Sequence, residues 1–263
     1  MTVRLIPLAL RFPPIYGNKK YRTGIILAKS LFELPPTASI SIDGDTRVFP
    51  INRIFCVGRN YAEHAAEMGN TVDRSAPFYF TKSLQSVSHG QSHIRYPTGT
   101  QNYHHEVEFV VFIGEAGHNI PAHAAMDHVF GYACGLDMTR RDLQAIAKEK
   151  RHPWDLAKDF EQSAVIGTIT PKKTFGQIGP QKIELLVNEN SAQSAYLSDM
   201  IHSVPNIICD LSEYYTLQAG DVIMTGTPAG VGPVVIGDKL DARIDGLSNL
   251  VVTVEPQSKF ENP

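Results

Sequence analysis

The chain has few cysteines, no long apolar run and no marked excess of either charge. Its three cysteines, Cys56, Cys134 and Cys209, lie far apart in 263 residues and form no C-x-x-C pair. An odd, scattered set builds neither a disulfide framework nor a zinc site, and it reads as reduced core thiols in a reducing, cytoplasmic compartment. No stretch approaches the roughly 18 consecutive apolar residues of a membrane-crossing helix. The formal net charge of −3 carries no nucleic-acid signature. The first 30 residues hold six Lys or Arg and no Asp or Glu, but Pro7, Pro13 and Pro14 break any amphipathic targeting helix there. Residues 1–34 therefore read as a loosely ordered basic extension, and 35–263 as one globular domain. Neither internal repeats nor low-complexity tracts occur, and no nucleotide-binding glycine motif is present.

What is present suits an ordinary globular protein, with 43% hydrophobic and 19% charged residues. The run Glu106-Val107-Glu108-Phe109-Val110-Val111-Phe112-Ile113-Gly114 predicts a buried strand with two acids at its mouth. A period of two puts Glu106 and Glu108 on one face, roughly 7 Å apart. Two such acids either share a proton, hold a cation between them, or fray into water. Phe130–Asp137 predicts a second buried strand that delivers Asp137 to its end. Thr139-Arg140-Arg141-Asp142 has the form of a capping box, so a helix is expected to start near Thr139. Three carboxylates without a cysteine pair suit Mg²⁺, Mn²⁺ or Ca²⁺.

Other elements follow from pattern. Ile51–Val57 predicts a strand, then a short helix in which His64 and Glu67, three apart, share a face. A carboxylate beside an imidazole suits a general base, but by itself the pairing is more often a surface ion pair. Pro77–Lys82 predicts a strand ending in Lys82, which by itself reads as a solvated lysine. Along the Thr139–Lys150 helix, Leu143, Ile146 and Ala147 form an apolar face, while Arg141, Gln144 and Lys148 repeat on an adjacent one. Helix is also expected over Asp199–Leu217. The glycine-rich Gly226–Pro233 turn can offer N–H groups and the Thr227 hydroxyl to an anion.

Taken together, His104–Gly114, Gly135–Gln144, Gly58-Arg59-Asn60-Tyr61-Ala62-Glu63-His64 and Gly220–Pro228 resemble the fumarylacetoacetate hydrolase superfamily, in order and over about Phe49–Glu255. The resemblance implies an α+β fold, a β-rich mixed roll with peripheral helices, and a homodimer. It implies that Glu106, Glu108 and Asp137 hold Mg²⁺ or Mn²⁺, and that His64 with Glu67 activates water. Lys158 is then the cation that neutralises an enolate, and Lys82, Arg141, Gln144 and Thr227 meet substrate. His104 and His105 stand beside the metal strand as candidates to orient its ligands.

The implied reaction is hydrolysis of the C3–C4 bond of a 2,4-dioxo acid, most fully fumarylpyruvate to fumarate and pyruvate. Arg140, where acylpyruvate-cleaving members tend to have a small residue, is then a second cation for a distal carboxylate. Oxaloacetate decarboxylation, acylpyruvate cleavage and isomerisation or tautomerisation of unsaturated oxo acids share the same carboxylates. A non-enzymatic binding protein on this scaffold has no use for the base pair and Lys158. Small dioxo acids, rather than nucleic acid or membrane, are the expected partners.

Overall fold

The computed structural model describes residues 31, 35–67, 74–90 and 92–257. The expected extension, 1–34, lies outside the described residues except for Leu31. Gly69-Asn70, a sequence signal that stops the helix carrying His64, lies outside them too. Thr37–Pro263 forms one compact unit.

Its centre is a mixed eight-stranded sheet. Across it run Phe78–Lys82, Arg53–Gly58, Asp221–Met224, Val107–Ile113, Val129–Asp137, Ala164–Ile166 and Val87–Ser88, with Thr170–Pro171 also paired to Val129–Asp137. Two pairs are parallel, Asp221–Met224 with Arg53–Gly58 and Ala164–Ile166 with Val87–Ser88. A five-stranded sheet of Asn190–Tyr196, Lys182–Val187, Lys239–Ile244, Leu250–Glu255 and His93–Arg95 stands beside it. A small sheet joins Thr139–Arg140, Tyr103–His105 and Gly232–Pro233, and the Ser39–Ser41 and Val48–Pro50 strands pair as an antiparallel hairpin, as the Asp43-Gly44 turn signal between them predicts. Among the described residues, no helix is long and apolar enough to cross a membrane.

Alternation along the central strands gives the main sheet two apolar faces. Val107, Phe109, Val111 and Ile113 enter one core with Phe55, Val57 and Leu136. Val110 and Phe112 enter the other with Ile54, Cys56, Ala133 and Met224. Glu108 shares the parity of Val110 and Phe112, and Asp137 that of Ala133. The acids therefore open the mouth of the second face. The Asp137 N–H donates to the Glu106 carbonyl (2.8 Å), which places those two residues opposite each other.

Three expectations change. The helix starts at Arg141, and Thr139 has no capping bond to it. Thr139 sits in a short strand, its hydroxyl shared between the Asp137 carbonyl and Lys158. On that helix Ile146 is 47% exposed while Gln144 and Ala147 are buried. Gln144 of the polar stripe turns inward onto the charged Arg141, and of the expected apolar face only Ala147 is buried. The later helix spans Val204–Tyr214, with Pro205 in its first turn, rather than starting at Asp199. All three cysteines are free, Cys56 and Cys134 buried and Cys209 only partly so.

Candidate active site

One ligand oxygen from each of Glu106, Glu108 and Asp137 lies within 4.8 Å of the others, and all three residues are buried. Three cations oppose them unevenly. The Lys158 ammonium donates to Glu106 Oε2 (2.7 Å), Asp137 Oδ2 (2.6 Å) and the Thr139 hydroxyl (2.8 Å). Arg141 Nη2 donates to Glu106 Oε1 at 2.5 Å. Lys82 Nζ lies 2.8 Å from Asp137 Oδ1, an ion contact without hydrogen-bond geometry, because that oxygen has no hydrogen-bond partner. Glu108 accepts only the Gly226 N–H (2.9 Å) and touches no cation among the described residues.

The titration of these groups follows that arrangement. Burial alone would raise Glu106, but the Lys158 and Arg141 charges outweigh it and hold the carboxyl below the carboxylate range. Burial and then the Asp137 and Glu106 charges drive Glu108 well above it. Lys158 stays above the usual lysine value despite burial, because Asp137 and Glu106 face it. Glu108, buried beside two other carboxylates and touched by no cation among the described residues, is the corner short of positive charge. Its donors are hard oxygens from three residues, so a divalent ion fits it.

His64 and Glu67 occupy the Ala62–Glu67 helix on the rim of the same cleft. His64 Nδ1 lies 3.2 Å from Glu67 Oε2. A carboxylate only accepts, so Nδ1 carries the proton and Nε2 keeps its lone pair. Burial lowers the imidazole below the usual histidine range, although Glu106 and Glu67 pull the other way. The Gly230 N–H in turn reaches both Glu67 oxygens at 3.1 and 3.2 Å. The Gly226–Gly230 turn thus holds Glu67 of the His64–Glu67 pair at one end and Glu108 of the acid cluster at the other.

The cleft encloses about 380 Å³, part of it open to solvent. His64, the three acids, Arg141, Gln144, Lys158 and Thr227 all line it. Arg141 is fixed there: Nη1 donates to Gln144 Oε1 (2.5 Å) and Nε to His104 Nδ1 (3.3 Å). Burial and then Arg141 lower His104 to about 4, which keeps it a neutral acceptor. Two expected substrate residues stand elsewhere. Lys82 is buried behind Asp137, donating also to Ser163 Oγ (2.9 Å) and the Lys158 carbonyl. Arg140 donates to the Leu156 carbonyl (3.0 Å), its guanidinium 4.2 Å over the Phe160 ring, outside the cleft lining.

Several functional supports were invisible in the pattern. Buried Gln193 accepts from the Val107 N–H and His105 Nδ1 (both 3.0 Å) and donates to the Thr227 hydroxyl (2.8 Å) and Pro228 carbonyl (2.9 Å). It ties the second sheet to the acid strand and the glycine turn. Asn60 donates to the Thr225 and His202 carbonyls and accepts the His202 N–H. Arg59, Phe80 and Trp154 line the cleft as well, beside Lys148 of the polar helix face.

Strand-rich fold, acid cluster and base pair together define a class. Residues 53–255 match the family described as fumarylacetoacetate (FAA) hydrolase C-terminal. The chain belongs to this family. A fumarylpyruvate hydrolase from Ralstonia sp is 46% identical over 72% of this chain and 99% of its own. The mitochondrial oxaloacetate tautomerase of Mus musculus is 44% identical over 75% and 89%. The crystal structure of fumarylpyruvate hydrolase from Pseudomonas aeruginosa with Mn²⁺ and pyruvate superposes with a TM-score of 0.85 at 41% identity, covering 87% of this chain and all of that one.

Proposed function

We propose that the protein is a divalent-metal-dependent carbon–carbon hydrolase that cleaves fumarylpyruvate to fumarate and pyruvate. The observation that carries this is a buried three-carboxylate cluster in one cleft with a carboxylate-held, neutral histidine. Glu106, Glu108 and Asp137 would hold the ion, Mg²⁺ or Mn²⁺, the latter by likeness to the Pseudomonas structure. When bound, it supplies Lewis acidity toward the 1-carboxylate and 2-oxo group of a dioxo acid.

The chain's own groups account for the proton and water chemistry. His64 Nε2 takes a proton from water while Glu67 stabilises the imidazolium, and the hydroxide adds to the C4 carbonyl. Collapse breaks C3–C4, and the electron pair passes into the pyruvate enolate. Lys158 offers its positive charge beside that end of the cleft. Reprotonation at C3 gives pyruvate, and the acyl half leaves as fumarate. Arg141, Gln144 and Thr227 orient the carboxylate end. The reading includes a cytoplasmic homodimer, supported by the free thiols for the compartment and by the family resemblance for the assembly.

Oxaloacetate chemistry is the competing reading, because that relative is nearly as similar. Turnover of fumarylpyruvate and of oxaloacetate in wild type and His64→Ala, at saturating Mn²⁺, separates the two. Loss of the base is expected to cost hydrolysis about 10²–10⁴-fold and oxaloacetate decarboxylation far less. Hydrolysis that survives in His64→Ala would place the base elsewhere.

A further inference from the structure

Two cations of the cleft, Arg59 and Lys148, have no part in the steps above. Arg59 adopts a left-handed conformation (φ 56°) immediately before Asn60, whose side chain is locked on both sides. Its guanidinium lies 5.3 Å from the Phe78 ring, and Lys148 Nζ lies 5.4 Å from the Trp154 ring. Phe78 and Trp154 meet edge to face at 5.4 Å. One aromatic pair therefore carries both cations, which come from separate segments of the chain. Among the described residues neither pairs with a carboxylate, and Arg59 Nε is buried without a hydrogen-bond partner. Burial, then the Arg141 and Arg59 charges, lower Lys148 to about 8. Among the described residues, positive charge is thus gathered at this end of the cleft with no carboxylate in direct contact.

We propose that Arg59 and Lys148 form an anion subsite for the distal carboxylate of a dicarboxylic dioxo acid, so that the cleft favours diacids over substrates with a neutral acyl end. The proposal rests on the dioxo-acid reading of the cleft. Lys148 stands seven residues beyond Arg141, roughly 10 Å along the helix, and Arg141 is the residue bonded to Glu106. A seven-carbon diacid has six skeletal bonds, the length of about two extended residues, roughly 7 Å. The flexible lysine stem covers the difference. Arg140, which the family resemblance implied for this task, is turned onto Phe160 and the Leu156 carbonyl instead.

The test is calorimetric binding of two ligands to the Mn²⁺-saturated protein: 2-oxoheptanedioate and 2-oxoheptanoate. They share the chelating 2-oxo acid and differ only in the distal carboxylate. Wild type is expected to bind the diacid about tenfold tighter or more, the worth of a charge-assisted contact. Lys148→Met and Arg59→Met should each remove most of that difference while leaving the monoacid affinity within about twofold. Lys148→Arg should restore it. Equal affinities in wild type, or parallel loss for both ligands in the variants, would overturn the subsite. Neither ligand has a C4 carbonyl to hydrolyse. A preserved diacid preference in a protein that fails to cleave fumarylpyruvate would sink the reaction and leave the subsite standing.

Discussion

Glu108 is the acid of the cluster that no cation touches, and burial with two acid neighbours drives it toward the protonated form. In the metal-free protein its negative charge opposes folding. Glu108→Gln keeps an acceptor for the Gly226 N–H and removes the repulsion. The metal-free variant is therefore expected to melt higher than metal-free wild type, by about 2–4 °C per kcal/mol relieved. The stabilisation that wild type gains from Mn²⁺ should disappear in the same variant. Thermal melts with and without Mn²⁺ check both; an unchanged metal response would remove Glu108 from the site. Residue identities at this centre were legible, because charged side chains among apolar ones need a reason. Their pairing was not. Nothing in the run Phe78–Lys82 says that Lys82 turns inward onto Asp137, since that contact depends on how distant strands align.

Between elements, the Gly226–Gly230 turn is the mechanical link. Its first N–H holds Glu108 and its last holds Glu67. Gly230 has φ 92°, and a Cβ there would meet the Ala192 carbonyl oxygen at 2.1 Å. Gly230→Ala combines a left-handed strain of about 1–3 kcal/mol with a backbone collision. We expect a melting point several degrees lower and a fall in kcat as Glu67 loses its anchor. Mn²⁺ affinity, set at the other end of the turn, should change much less. An unaltered kcat would show that the turn does not position the base. Strand alternation was readable from sequence because the period-two pattern is local, and both central strands lie where it puts them. The helix start was misplaced because Thr139 is claimed by Lys158 and Asp137, partners remote from any capping rule. Gln193 left no local signal at all, since its four bonds reach two other segments of the chain.

For the whole molecule, the fold brings residues from Val57 to Thr227 into one cleft, which explains why no short motif accounts for the site. Relatives of nearly equal identity are named for different reactions, so the acid cluster alone does not set the outcome. We propose that water attack at C4, driven by the His64–Glu67 pair, is the event that distinguishes this protein. Single turnover of fumarylpyruvate in ¹⁸O-labelled water, at saturating Mn²⁺, tests that claim most directly. It predicts equimolar fumarate and pyruvate, with label entering the carboxylate newly formed on fumarate and none entering the pyruvate carboxylate. Intact fumarylpyruvate after many wild-type turnovers of oxaloacetate, or fumarate released without label, would contradict it.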